Sequence, residues 1–319
     1  MSKATLPLAV HPVPAIRPMN SLKKKILRHW QLYVIMMFPL FCLILFKYVP
    51  MIGLQIAFKT YRVRAGIWNS PFVGWKHFIR FFESPSTMDI IWNTVSLSLY
   101  SIAASFPLAI LLAIALNEAQ HQRLKKMVQL ITYAPYFIST VVLVSMLNQF
   151  LDPRIGVLSM MMQQFGIDTR NIMGNPDLFR HLYVWSGIWQ STGYSAIIYL
   201  AALTGISHEL TEAAVIDGCT RIKRIWHVDL PGIRPSVVTL LVLNMGYVMS
   251  VGFEKVFLMQ SPSILNVSEV MSTYIYRIGL QNSDYSYSTA IGLVNSIINL
   301  ILILTVNQIA RKTGEQALW

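Results

Sequence analysis

Long apolar stretches separated by short polar ones dominate this chain. Six of them, about 30–56, 92–117, 127–151, 182–206, 235–258 and 288–310, each supply the roughly 20 mostly apolar residues that a helix needs to cross a hydrocarbon layer about 30 Å thick. Helix is the expected form, because in lipid every backbone N–H and C=O must be paired within its own segment. A membrane β-barrel would instead show short alternating strands, and the pattern has none. The expectation is an all-α polytopic membrane protein with six transmembrane helices. A tail over 1–29 precedes a first helix and loop over 30–89, a helical domain fills 90–310, and a short tail covers 311–319.

One polar insert, 207–231, interrupts the pattern between spans four and five. Glu209, Glu212, Asp217, Arg221, Lys223, Arg224 and Asp229 are too many charges for hydrocarbon. Ser207 is placed to cap a helix over about 208–217, with Glu209 and Glu212 near its positive end. Gly218 falls where a chain leaves a helix in the left-handed conformation. Thr220 can cap a second helix in which Ile222, Ile225, Trp226 and Asp229 share a face while Arg221, Lys223 and Arg224 point away. Leu230-Pro231 is expected to end it, since proline lacks a donor and disfavours helix in the residue before it. On these residues alone the insert is either a handle for a soluble partner or a plain interfacial hairpin.

Composition agrees with a membrane protein: 54% of residues are hydrophobic and 13% charged, against about 25% charged in soluble domains. Cys42 in the first span and Cys219 in the insert form no disulfide framework. The tail holds Pro7, Pro12, Pro14 and Pro18 and then Lys23-Lys24-Lys25, and reads as disordered. The apolar run after it is too long for a signal peptide and lacks a small-residue cleavage site, so it reads as a retained anchor. With the N-terminus inside, Lys23 to Lys25, Arg28, Arg123, Lys125, Lys126, Arg221, Lys223, Arg224, Arg311 and Lys312 all face the cytoplasm, as the positive-inside rule favours. Both termini and the insert are then cytoplasmic. Loop 57–91, with Lys59, Arg62, Arg64, Lys76 and Arg80, runs against this trend. The net charge of +12 fits attraction to anionic lipid, and no basic soluble domain for nucleic acid is present.

Enzyme signatures are missing from the sequence. There is no phosphate-binding Gly-x-x-x-x-Gly-Lys-Ser/Thr loop, and His208-Glu209 is followed by Glu212 where a zinc helix would need histidine. No Gly-x-Ser-x-Gly elbow occurs. Three polar pairs within spans have one-face spacing: Gln190 with Tyr194, Asn244 with Tyr247, and Asn295 with Asn299. They suit the hydroxyls and ring faces of a sugar, or they glue helices together beside Gly193, Gly246 and Gly292. Lys47, Glu254 and Lys255 fall near outer span ends, where snorkelling, a local ion pair or contact with an anionic saccharide would each explain them. Trp68, Phe72, Trp75, Phe78, Phe81 and Phe82 form either an interfacial belt or a docking patch. A stand-alone ion-coupled carrier or channel is the rival function; no predicted span has an ionisable residue near its middle, which argues against it.

The insert also carries a motif. Glu212-Ala213-Ala214, three residues, Gly218, nine residues, Val228, one residue and Leu230-Pro231 resembles the signature of the integral membrane permeases of binding-protein-dependent ABC importers, with Val228 where the family usually has Ile. The block 47–59 and the C-terminal 314–319 resemble the subgroup handling oligosaccharides and polysaccharide fragments, in particular the larger permeases of bacterial alginate importers. This resemblance implies a type I importer fold in the bacterial inner membrane. It implies that Glu212, Ala213, Ala214, Asp217, Gly218, Val228, Leu230 and Pro231 couple the chain to an ATPase. It also implies a second permease, two ATPase subunits holding ATP and Mg, an extracytoplasmic solute-binding protein and a saccharide lined by spans four to six. No cofactor is expected on this chain.

Overall fold

The computed structural model describes residues 29–166, 169 and 171–312, which are helical almost throughout, with one isolated antiparallel bridge between Lys59 and Phe72. The Pro-rich tail and the 314–319 block lie outside the described residues. The chain divides into two compact units at Leu54 and Gln55. In the first, α1 (Trp30–Leu43) passes through a π turn (Ile44–Tyr48) into a 3-10 segment (Val49–Phe58) whose residues from Gln55 on belong to the second. Pro39 lies inside α1, as membrane helices tolerate.

The second unit is built on α3 (Thr87–Glu118), a 32-residue helix. Along it come three buried clusters: Ile90 with Phe78, Phe81, Met271 and Ile291, then Leu97 with Val184, Val251 and Val256, then Ala109 and Ala113 with Ala196, Tyr199 and Ile233. Around α3 stand α2 (Lys76–Glu83), α4 (Gln122–Tyr133), α5 (Thr140–Phe150), α6 (Pro176–Thr204), α9 (Leu230–Met245), α10 (Phe253–Met259), α11 (Met271–Tyr276) and α12 (Tyr285–Lys312). The insert contributes two short helices, α7 (His208–Ile216) and α8 (Arg221–Arg224), and short helices at Gly66–Asn69, Val157–Gln164 and Leu265–Ser268 lie elsewhere in the unit. Small residues set the helix spacing in the third cluster, as in other membrane bundles. Where α6 crosses α4, a Cβ at Gly193 would strike the Thr132 carbonyl.

Six straight spans were expected, and the helices differ in three places. Among the described residues four helices, Trp30–Phe58, Thr87–Glu118, Arg221–Met245 and Tyr285–Lys312, are long and apolar enough to cross a membrane. A fifth is added if the bent pair over 122–150 counts as one; its halves meet at 99°. That bend replaces the straight helix expected over 127–151. Pro135 leads a 3-10 turn, and the Ser139 hydroxyl accepts from the Val142 N–H at 3.3 Å to start α5 in a new direction. The expected fourth span is present as the 29-residue α6, whose Asp177, Arg180, Gln190 and serines dilute its apolarity. Neighbours shield those groups: Arg180 donates to the Asn93 amide oxygen at 2.9 Å.

The third difference lies in span five, expected over 235–258. Its helix begins in the insert, at Arg221, and stops at Met245. A 3-10 turn (Val248–Ser250) and an open stretch to Gly252 follow before α10 resumes. Irregular backbone at this depth survives only where side chains pair it. Here the Ser98 hydroxyl donates to the Val248 carbonyl, the Asn299 amide oxygen accepts from the Met249 N–H at 3.0 Å, and the Ser272 hydroxyl donates to the Val251 carbonyl at 3.2 Å.

Candidate functional site

The insert folds as its sequence suggests, up to its last turn. The Ser207 hydroxyl accepts from the Glu209 N–H at 3.2 Å and starts α7. Its far end closes with the Cys219 N–H on the Ala214 carbonyl at 2.9 Å and the Gly218 N–H on the Val215 carbonyl at 3.0 Å. Gly218 sits at φ +75°, the left-handed region that this closure demands and that a side chain resists. The Thr220 hydroxyl then accepts from the Lys223 N–H at 3.5 Å to begin α8.

Leu230-Pro231 does not end that helix. A π turn (Ile225–Asp229) follows α8 and leads without a break into α9. The wider turn lets the Leu230 N–H reach the Ile225 carbonyl, and Pro231 falls in the first turn of α9, where its missing donor matters least. Arg224 also departs from the expected outward face. Its guanidinium meets the Glu118 carboxylate at the end of α3 and lies 3.8 Å from Asp229. These three groups border a polar cavity of about 290 Å³ with Asn117, Thr204, His208 and Thr211. The insert, joined by chain to α6 and α9, is thereby tied to the end of α3 by charge.

Of the residues the motif marks, Glu212, Ala213, Asp217, Gly218 and Pro231 are exposed, while Ala214, Val228 and Leu230 are half-buried. Leu230 packs with Ile206 on the third buried cluster. Beside them stand Leu210, Val215, Ile222 and Trp226, all exposed, and Ile216, at 85% exposure the barest of the group. Exposed large apolar side chains thus gather on an otherwise charged knob, the kind of patch that suits contact with another surface.

The polar pairs separate into anchored and open groups. The Gln190 amide donates to the Ile138 carbonyl at 2.7 Å, stitching α6 to the bend before α5. Tyr194, a turn further on, stacks on Tyr136 at 3.8 Å between ring centroids. Asn299 holds the broken span through Met249 and, at 3.0 Å, the Ser250 hydroxyl. Asn244 bonds within its own helix to the Leu240 carbonyl at 2.8 Å, and Tyr247 stands exposed at the break. Asn295 lines a cavity of about 530 Å³ with Ser250, Ser272, Phe253, Tyr276 and Tyr285. Its amide oxygen is buried without a hydrogen-bond partner. A tight aromatic group, Phe253, Phe257 and Tyr276, stands beside it with centroids 5.1 to 5.4 Å apart. Cavities with hydroxyl, amide and aromatic walls are chemically matched to saccharides.

Sequence reasoning missed Tyr136 and this aromatic group, since neither shares a helix with the residues it joins. Gly246 and Gly252, flanking the break, were the available signal. Lys255, for which snorkelling, a local ion pair or contact with an anionic saccharide were each open, is 7% exposed and donates to the Tyr183 carbonyl of α6, which does not fit snorkelling. Among the outer aromatics Phe78 and Phe81 are core, whereas Trp68, Phe72, Trp75 and Phe82 are exposed.

Known proteins repeat this arrangement. The polygalacturonan/rhamnogalacturonan transport system permease protein YteP of Bacillus subtilis (strain 168) is 39% identical over 295 residues, 92% of each chain. Protein LplB of the same organism is 36% identical over 288 residues, 90% of this chain and 91% of its own. A chain in the crystal structure of a bacterial alginate ABC transporter, in complex with an alginate pentasaccharide-bound periplasmic protein, superposes with a TM-score of 0.86 at 37% identity; the match covers 94% of this chain and all of that one. A chain of a bacterial ABC transporter involved in import of the acidic polysaccharide alginate gives 0.85 at 38% identity, covering 92% and 99%. The fold is therefore that of a type I ABC importer permease, a multi-pass membrane subunit and not an enzyme. A family model described as binding-protein-dependent transport system inner membrane component matches residues 105–314, and the chain belongs to that family.

Proposed function

We propose that this chain is one of two permease subunits of an ATP-driven importer for acidic oligo- or polysaccharide fragments. A second permease completes the path, an extracytoplasmic solute-binding protein delivers the sugar, and two ATPase subunits supply the ATP and Mg chemistry. Both termini and the 207–231 insert face the cytoplasm, where the insert's Arg221, Lys223 and Arg224 belong under the positive-inside rule. Residues 90–310 form the transport domain, preceded by a separate anchor helix and loop over 30–89. Glu212, Ala213, Ala214, Asp217 and Gly218 form the knob that an ATPase grips, and Val228, Leu230 and Pro231 tie it to span five. Gln190, Tyr194, Asn244, Tyr247, Asn295 and Asn299 border the sugar path.

The observation that carries this reading is the exposed apolar rim of the knob, Ile216 above all, on a hairpin fixed by a left-handed glycine. The substrate class is supported by the alginate and polygalacturonan names of its relatives and by the amide, hydroxyl and aromatic walls of the cavity. Ile216→Cys, placed in the full complex with a cysteine-bearing ATPase, is expected to cross-link to that subunit. Vesicles holding all partners are expected to accumulate labelled oligouronate only with ATP and the binding protein. Uptake by this chain alone, or cross-links that never include an ATPase, would refute the reading.

A further inference from the structure

Lys255 is a cation inside the helical bundle. Its residue is 7% exposed, and among the described residues no carboxylate pairs with it. The ammonium donates to the Tyr183 carbonyl at 2.8 Å and lies 4.8 Å from the centre of the Tyr183 ring. That carbonyl also receives the Ser186 hydroxyl at 3.2 Å, so Lys255 shares an acceptor already in use. An ammonium has three donors, and among the described residues only this one bond is made. A buried, uncompensated charge in a membrane bundle is costly and marks function by default.

Its position says what the charge is for. A Cβ at Gly187 would lie 3.1 Å from the ammonium nitrogen, so the amine fits there because position 187 has no side chain. Tyr183, Gly187, Gln190 and Tyr194 follow one another at spacings of four, three and four and therefore form one stripe of α6. At about 1.5 Å rise per residue, Gln190 lies about 4.5 Å along the axis from Gly187. The cation thus stands one turn from the first of the amide and tyrosyl groups that border the sugar path. Those groups are all neutral, as is every side chain lining the cavity of Ser250, Tyr276 and Asn295. A uronate unit presents hydroxyls and ring faces that such neutral walls satisfy, and a carboxylate that they do not.

Resting on the importer reading above, we propose that Lys255 is the specificity-determining cation of the path: as the saccharide passes Gly187, its carboxylate takes the free donors of the Lys255 ammonium. A charge-assisted contact of this kind favours the acid over its neutral counterpart by about tenfold or more. The binding protein selects which sugar arrives; Lys255 makes the permease itself prefer one that is charged.

The test uses the complete transporter in vesicles and two probes, a short oligogalacturonate and the same oligosaccharide with its carboxylates reduced to alcohols. Wild type is expected to favour the acid in kcat/KM, and Lys255→Gln to lower that preference at least tenfold, with Lys255→Arg restoring part of it. Gly187→Asp retains the lysine but gives it an internal counter-ion, and is expected to lower the preference as Lys255→Gln does. This second variant keeps the test valid should Lys255→Gln fail to assemble. A lysine that only props α10 against α6 would lower uptake of both probes in parallel and leave their ratio intact; that outcome overturns the proposal. Wild type that takes the reduced sugar as readily as the acid overturns it too while leaving the importer standing. Wild type that takes neither, with every partner present, overturns the acidic-saccharide reading and this assignment with it.

Discussion

Gly218 isolates the contribution of backbone geometry to coupling. Its φ of +75° places it in the left-handed region, yet a Cβ there would meet nothing within 4 Å. Substitution therefore adds strain without a clash. A residue bearing a Cβ costs about 1–2 kcal/mol in that conformation, with β-branched residues worst placed and Asn best tolerated. Relaxing out of it would break the Cys219 to Ala214 closure of α7, and a helix of nine residues has little stability of its own. A penalty of this size shifts the population of the folded knob by about 5- to 30-fold. In vesicles with all partners, Gly218→Val is expected to cut ATP-driven sugar uptake by that order, Gly218→Ala by less, and Gly218→Asn least. Uptake and ATP hydrolysis measured side by side test it. Full uptake by Gly218→Val, or an Asn variant as impaired as the Val variant, would refute the reasoning.

Two further outcomes follow from ion pairs. Glu118→Gln removes one carboxylate from Arg224 but leaves Asp229, whereas Arg224→Met leaves two carboxylates facing each other without a cation. The Met variant is expected to lose more, about 1–3 kcal/mol, read as a lower melting temperature of the purified complex and a weaker hold on the ATPase; equal melting of the two would contradict the clamp. Burial lifts the Glu269 carboxyl above its ordinary range while Arg277, at 2.7 Å, opposes the shift. Without the arginine the folded-state value rises further above the unfolded one, so stability is fully present below the unfolded value and lost as pH rises through the folded one. Arg277→Gln is therefore expected to cost more stability at pH 8 than at pH 5, and a melt that is insensitive to pH would show the pair to be idle.

Helical class, the position of the insert, and both of its caps were legible because each rests on local chemistry: long apolar runs, Ser207, Gly218 and Thr220. The breaks were not. Pro135 and Gly246 are tolerated inside many membrane helices, and only neighbours distant in sequence decide whether a break persists. Ser98 and Asn299 supply the pairing that lets span five open after Met245. The burial of Lys255 was illegible for the same reason. A straight span would carry it to an outer end, and the broken one turns it inward against Gly187. Arg224 looked like surface charge because Glu118, its partner, lies 106 residues away.

The run from Arg221 to Met245 is one continuous helix with a π turn and Pro235 inside it, and that bears on the proposed coupling. Its 25 residues reach about 37 Å, so under the proposed coupling role a displacement of the insert would travel to Gly246 along a single helix. On the proposed coupling role, the π turn and the side-chain-paired stretch 246–252 would set how much of such a displacement reaches α10. On that reading, altering residues 246–252 would change how far α10 follows the insert.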